Sequence, residues 1–119
     1  MSSGAGAKTM SLTDEERAWL DAYRRVLAEE FPGLVERLLI YGSKARGDDR
    51  PDSDLDVLVL IREGDWRLKE AVAARGHDLS LGTWIDDSIL VLTMGEWERM
   101  RQRESVFREA VERDGVAVA

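Results

Sequence analysis

Cysteine is absent from this chain, and proline, histidine and aromatic residues are scarce. Without cysteine the chain can build neither a disulfide framework nor a thiolate metal site, and thiol usage gives no information on the redox compartment. Its single histidine has no second ligand at metal spacing. With two prolines, 44% hydrophobic and 34% charged residues, the composition is that of a globular protein and excludes disordered and fibrous classes.

Long apolar runs and an excess of basic residues are also missing. Residues 1–10 lack the apolar core of a signal peptide, and no later run is long enough to cross a bilayer, so we expect a cytoplasmic protein without a membrane anchor. The 24 acidic and 17 basic residues give a net charge of -7, which repels polyanions. We therefore expect no direct binding to a DNA or RNA polymer, whereas a small nucleotide held by metal is allowed.

The length of 119 residues fits one small domain with its own core. Residues 1–10 (MSSGAGAKTM) are rich in small residues and have no periodicity, so we interpret them as a flexible tail and residues 11–119 as the domain. We find no internal repeat. From this length we expect no second substrate-binding domain.

The predicted elements alternate between helices and strands. A capping box at Thr13–Glu16 predicts a first helix, which Phe31–Gly33 ends. Strands are predicted over Leu34–Tyr41, Asp54–Ile61, Ser88–Thr93 and Val116–Val118, and helices over Asp65–Leu79, Gly95–Arg103 and Ser105–Arg113. Gly76 costs about 1 kcal/mol in a helix, so this helix is either continuous or broken there. This order predicts an α/β or α+β fold, a small mixed sheet with helices packed on one face.

The segment from Gly42 to Asp56 carries the chemistry. Gly42 permits a sharp turn, and Ser43 begins a predicted short helix whose N–H groups and dipole attract phosphate. Asp54 and Asp56 stand two residues apart on a predicted strand, so both carboxylates project from one face and suit hard divalent cations. Because neighbouring carboxylates repel each other, we expect magnesium to neutralise them beside a bound triphosphate.

These residues resemble the minimal nucleotidyltransferases of the DNA polymerase beta superfamily. The resemblance lies in Gly42-Ser43, ten intervening residues and Asp54-x-Asp56 on an apolar strand. Ser53, directly before the acid pair, is also typical of this group. It implies the polymerase beta-type nucleotidyltransferase fold, two Mg2+ ions, and ATP or another NTP as donor of a nucleoside monophosphate. By the same resemblance Asp54 and Asp56 bind the metals, while Gly42, Ser43 and Ser53 contact the nucleotide.

Such enzymes usually add a third carboxylate from a later strand. Asp86 and Asp87 both precede the predicted strand Ser88–Thr93, and adjacent strand residues point to opposite faces. If that strand extends backwards, Asp86 shares a face with Ser88 and repeats the pattern of the first acid pair. We therefore favour Asp86 as the third metal ligand and as base toward the acceptor. The alternative is that both acids belong to a turn and the third ligand is missing.

Other residues near this segment carry weaker signals. Arg46 either contacts the phosphates, as a nucleotide-site residue, or pairs with Asp48 or Asp49 at the surface. Lys44 is expected in solvent. His77 is interpreted as a surface or packing residue. The tryptophans are predicted to fill the core or an interface instead of stacking on bases; they are Trp19, Trp66, Trp84 and Trp97.

Three functions fit this sequence. The favoured one is magnesium-dependent transfer of AMP from ATP to a hydroxyl group, catalysed by Asp54, Asp56 and Asp86. The resemblance implies that this acceptor is a tyrosine of a partner HEPN-type toxin, which makes the chain an antitoxin; a second subunit in a homo-oligomer is the other way to present an acceptor. The alternatives are a small-molecule (antibiotic) nucleotidyltransferase and a protein with a degenerate site that neutralises its partner by contact.

Overall fold

The computed structural model describes residues 10–48 and 53–118. Within these residues the chain forms five helices and four strands, in the following order: α1 Asp14–Glu30, β1 Val35–Tyr41, α2 Gly42–Arg46, β2 Leu55–Ile61, α3 Trp66–Ser80, β3 Asp87–Thr93, α4 Met94–Gln102, α5 Val106–Asp114 and β4 Val116–Ala117. No helix in the two described ranges has the length and apolar character that crossing a membrane requires. The predicted tail lies outside the described residues except for Met10.

The strands of the described chain form one mixed sheet in the order β3-β2-β1-β4. β1 pairs antiparallel with both β2 and β4. β2 pairs in parallel with β3, and α3 makes the crossover between them. The predicted edge strand near the end of the chain is β4, which lies beside Leu39 and Ile40. The predicted α+β fold class with a small mixed sheet is confirmed.

Helices cover both faces of this sheet. Helices α1 and α3 pack over the face that carries Leu55, Val57, Val59 and Ile61. Helices α4 and α5 cover the other face, where they contact Leu58 and Leu60. The predicted helical layer on one face is therefore joined by a second, smaller layer. On β2 the polar residues of this face lie at the start of the strand, and the two leucines further along are fully buried under the second helical layer.

Helix α1 begins at the predicted capping box. The Thr13 hydroxyl accepts from the Glu16 N–H at 3.0 Å, and the Glu16 carboxylate accepts from the Thr13 N–H at 3.0 Å. The buried side of the helix carries Trp19, Leu20, Tyr23 and Leu27. The helix ends at Glu30, and its buried stripe matches the periodicity of the sequence.

Helix α3 runs unbroken through Gly76, which decides between the two alternatives for this helix. The Trp19 indole N–H donates to the Gly76 carbonyl at 3.1 Å. A Cβ atom at position 76 would overlap the Ile89 side chain and lie 3.1 Å from the Tyr23 ring. Glycine is present here because α1 and β3 approach the helix closely, and the packing it allows offsets its low helix propensity.

The tryptophans occupy two environments. Trp19 and Trp97 are in the core, with 4% and 3% of their surface exposed, as predicted. Trp66 and Trp84 are 63% and 97% exposed, so they do not fill the core, and a place at an interface stays a prediction for them. Trp66 begins α3 and Trp84 precedes β3, so each lies where an element starts and not on its buried side.

Candidate active site

Three strand ends meet at one end of the sheet. Tyr41, the last residue of β1, lies opposite Asp56 in the β1–β2 ladder. Ser88, near the start of β3, lies beside Asp56 in the β2–β3 ladder. The residues that follow β1 and those that precede β2 and β3 therefore share this end. Topology thus brings the glycine-serine bend to the candidate acids.

The bend after β1 contacts the Asp56 carboxylate. Gly42 has φ 75°, in the left-handed region that favours glycine. A Cβ atom at position 42 would overlap the Asp56 Oδ2 atom and lie 3.2 Å from its Cγ atom. Any larger residue at position 42 is therefore opposed both by its backbone conformation and by the carboxylate beside it.

Helix α2 follows the bend and is five residues long. Tyr41 occupies its N-cap position without a side-chain hydrogen bond, and Ser43 is the second residue of the helix. Ser43 is therefore not the cap, and its hydroxyl lies in the first turn, at the end of a helix where N–H groups attract anions. Gly47, with φ 81°, ends the helix, and its N–H donates to the Ser43 carbonyl at 2.9 Å.

Asp54 and Asp56 lie two residues apart at the start of β2, so they project from the same face. Asp54 is exposed and Asp56 is half-buried. Burial, and then the charge of Asp54, raise the pKa of Asp56, while Arg46 acts in the lowering direction. A divalent cation near both carboxylates favours their ionised forms, and carboxylate oxygens are ligands that suit magnesium.

The two candidates for the third acid point in different directions. The Asp86 carboxyl is within hydrogen-bonding reach of Asp54, and this hydrogen bond, followed by the Asp54 charge, raises the pKa of Asp86. Asp87 turns to the opposite face, where its carboxylate contacts His77 Nδ1 and its side chain is 7% exposed. Of the two, Asp86 is the one beside the acid pair, as the strand alternation predicts. His77 is exposed, as expected for a surface residue.

The carboxylates do not form a closed metal cage. Among residues 10–48 and 53–118, no group of three or more His, Cys, Asp and Glu side chains is close enough to hold an ion by itself. Magnesium is commonly bound through one or two carboxylates together with substrate phosphates and water. The arrangement of Asp54, Asp56 and Asp86 therefore fits ions that share their coordination with a nucleotide.

The basic residues of α2 have different environments. Arg46 Nε lies 3.1 Å from Asp48 Oδ2, with the Arg46 side chain 44% exposed, so the predicted surface pair is present and a phosphate contact stays a prediction. Asp49, the other predicted partner, lies outside the described residues. Lys44 was predicted in solvent and this was wrong. It is buried, with Nζ 3.1 Å from Glu16 Oε2, because the start of α1 supplies a carboxylate that offsets its charge.

Ser53 and the exposed Trp84 line the same pocket beside Asp86. The pocket has a volume of about 390 Å³ and also touches the buried pair of Lys44 and Glu16. Ser53 was predicted in the nucleotide site, and its role there stays a prediction. In the sequence, the signal that places Trp84 here is its position two residues before Asp86.

Tyr41 was also missed as a neighbour of the acids. Burial and the charge of Asp56 raise the pKa of Tyr41, and its ring packs edge-on against Phe107 with 5.4 Å between centroids. The position of Tyr41 directly before Gly42 could have indicated that it lies near the site, because the last residue of a strand lies next to the turn that follows. The pairing with Asp56 depends on a strand register that the sequence does not display.

The fold and the acidic site define a class of protein. A family model described as nucleotidyltransferase domain matches residues 20–113. The chain belongs to this family, so the predicted nucleotidyltransferase class is confirmed. No curated protein is significantly similar to it in sequence.

Solved structures share the fold at low sequence identity. A protein from Sulfolobus solfataricus described as a nucleotidyltransferase is 22% identical, with a TM-score of 0.56 over 92% of this chain and 90% of that chain. A toxin-antitoxin with AMP-PNP is 18% identical, with a TM-score of 0.58 over 90% of this chain and 73% of that chain. A mutant of the toxin-antitoxin MntA-HpeT is 19% identical, with a TM-score of 0.55 over 84% of this chain and 71% of that chain.

Proposed function

We propose that this chain transfers AMP from ATP to a hydroxyl group in a magnesium-dependent reaction. The observation that carries the proposal is the contact between Gly42 and the Asp56 carboxylate, which sets a strand acid against a turn suited to phosphate. The position of Asp86 within reach of Asp54 adds a third carboxylate. Together these groups are a donor set for two divalent cations, and family membership supplies the reaction class.

In this proposal Gly42 and Ser43 hold the β and γ phosphates of the donor, and Asp54 and Asp56 hold the magnesium ions. Bound magnesium supplies positive charge that offsets the triphosphate and orients the attacking and leaving oxygens. The acceptor oxygen forms a bond to the α-phosphorus, the bond to the α–β bridging oxygen breaks, and pyrophosphate leaves. Asp86, which lies within hydrogen-bonding reach of Asp54, accepts the acceptor proton.

The acceptor in this proposal is a tyrosine hydroxyl of a partner toxin of the HEPN type, so the chain acts as an antitoxin in the cytoplasm. Two of the similar structures are toxin-antitoxin complexes, one of them with AMP-PNP. The part of the chain that the structure describes is one sheet with its helices. A partner that brings the acceptor to the acidic end of this sheet is consistent with that architecture.

The test is transfer of label from α-labelled ATP, with magnesium, to the partner that copurifies from the native host and to small hydroxyl acceptors. We expect Asp54→Asn, Asp56→Asn and Asp86→Asn to reduce the rate by roughly 100-fold or more. Asp87→Asn is the matched control, because it makes the same chemical change on the opposite face of β3 and should retain most of the activity.

Label transfer that survives Asp56→Asn contradicts the proposal. Partner inhibition that persists in Asp54→Ala without any transfer supports the contact-only alternative instead. Label that appears on an antibiotic but never on a copurified protein supports the small-molecule alternative.

A further inference from the structure

Trp84 leaves 97% of its surface exposed although tryptophan is on average among the more buried residues. Its loop connects α3 to β3 and is well anchored. The Thr83 hydroxyl donates to the Ser80 carbonyl at 2.7 Å and accepts from the Ile85 N–H at 3.0 Å. Ile85 packs against the core. The loop conformation therefore holds the indole outside the core, where its faces are available.

The indole borders a pocket of about 390 Å³ next to the candidate acids. Pockets that bind small molecules in proteins commonly start at roughly 300 Å³. At one side the pocket reaches Ser53 and Asp86, which adjoin Asp54 in sequence and in space respectively. The pocket therefore adjoins the end of the sheet that carries the acids, and its lining also includes Glu15, Glu16 and Lys44.

The charges in this pocket favour an uncharged group over a phosphate. Glu16 is neutralised by Lys44 at 3.1 Å, whereas Glu15 adds negative charge to the lining. A triphosphate placed beside Glu15 would meet like charge, which disfavours it. The aromatic face and the negative charge of Glu15 therefore suit the end of a nucleotide that carries no phosphate.

We propose that Trp84 and this pocket form the subsite for the base of the donor nucleotide, an inference that rests on the proposed function. The base stacks on the indole, and the phosphates extend toward Gly42 and the acids. Because every nucleobase has a π-face, stacking of this kind tolerates different bases. The subsite therefore distinguishes a nucleotide from an inorganic polyphosphate more strongly than it distinguishes ATP from other triphosphates.

Titration calorimetry on the full chain with magnesium tests this subsite. One probe is an ATP analogue with a methylene group between the α and β phosphorus atoms, which cannot release pyrophosphate, and the other is inorganic triphosphate. We expect Trp84→Ala to weaken binding of the analogue by roughly 5- to 150-fold and to leave triphosphate binding unchanged. Trp84→Phe should retain most of the affinity. Trp66→Ala is the matched control, since Trp66 is also exposed but lies outside this pocket.

The outcomes separate the two proposals. If the unaltered chain binds neither probe, the proposed function is wrong and the subsite is wrong with it. If the chain binds the analogue and Trp84→Ala binds it equally well, the function stands and the subsite is wrong. If Trp84→Ala weakens binding of the analogue and of triphosphate equally, the subsite is also wrong, because the indole then affects phosphate binding or the fold and not the base.

Discussion

At the scale of single residues, the position of Asp56 in the candidate site lowers the stability of the fold. Its carboxylate is half-buried, lies against Gly42 and shares its face with Asp54. These surroundings raise its pKa, which means that the ionised form is less favourable in the folded chain than in the unfolded one. Such costs are common at functional sites, where the geometry that binds a ligand is not the most stable one.

Asp56→Asn should therefore stabilise the metal-free protein at pH 7. When the pKa of a carboxyl is raised on folding, the folded protein becomes less stable as the pH rises from the ordinary pKa, 3.8, through the raised pKa. The gain from the substitution should be full above the raised pKa and should disappear below pH 3.8. Thermal unfolding across this pH range measures it, with the exposed Glu29→Gln as control.

Magnesium should reverse the order of stability. A ligand that binds only the folded state stabilises it, so magnesium together with the methylene ATP analogue should raise the midpoint of the unaltered chain and leave Asp56→Asn little changed. A lower midpoint for Asp56→Asn at pH 7 without metal would contradict this account of the carboxylate.

Residue environments were predictable from sequence only where local spacing decides them. Alternation along a strand was enough to predict that Asp54 and Asp56 share a face. Lys44 was misjudged because its partner, Glu16, is distant in sequence and comes from another helix. No local pattern shows that a lysine will be buried by an ion pair of this kind.

At the scale of secondary-structure elements, Gly76 lies where three of them pack together. Its helix, α3, lies against Trp19 and Tyr23 of α1 and against Ile89 of β3. Gly76→Ala should destabilise the fold by about 1–3 kcal/mol, because overpacking outweighs the gain in helix propensity. Urea unfolding provides the measurement.

The control is Gly95→Ala in α4. There the nearest atom to an added Cβ is the end of the Arg99 side chain at 3.5 Å, an ordinary contact. We expect this substitution to stabilise the protein by up to about 1 kcal/mol. A Gly76→Ala variant that is as stable as Gly95→Ala would show that α1 and β3 yield to the extra methyl group.

Element boundaries were largely predictable because their signals are local. The capping box at Thr13–Glu16, the cap at Asp65 and the stop at Gly115 all act within a few residues. The choice between Asp86 and Asp87 could only be favoured from sequence. It depends on how β3 pairs with β2, and strand pairing is decided by contacts between distant segments.

At the scale of the whole molecule, the charge of -7 limits the partners of the protein. Binding to a nucleic-acid backbone draws on cationic contacts that release counterions, and the net field of this chain opposes them. We expect a labelled single-stranded DNA or RNA to bind with a dissociation constant weaker than about 10⁻⁴ M at physiological salt. Fluorescence anisotropy measures this, and tighter binding that weakens steeply with added salt would contradict it.

Asp86 and Asp87 are consecutive at the start of β3, and this determines what a shift in the register of the strand would do to the site. If β3 slid by one residue along β2, Asp87 would take the place of Asp86 beside Asp54, and a carboxylate would still be there. The same slide would turn Ile89 and Val91 away from the core under α1 and α3. The apolar side chains, and not the acids, therefore determine the register of β3. The fold would disfavour a register shift even if the shift left a carboxylate beside Asp54.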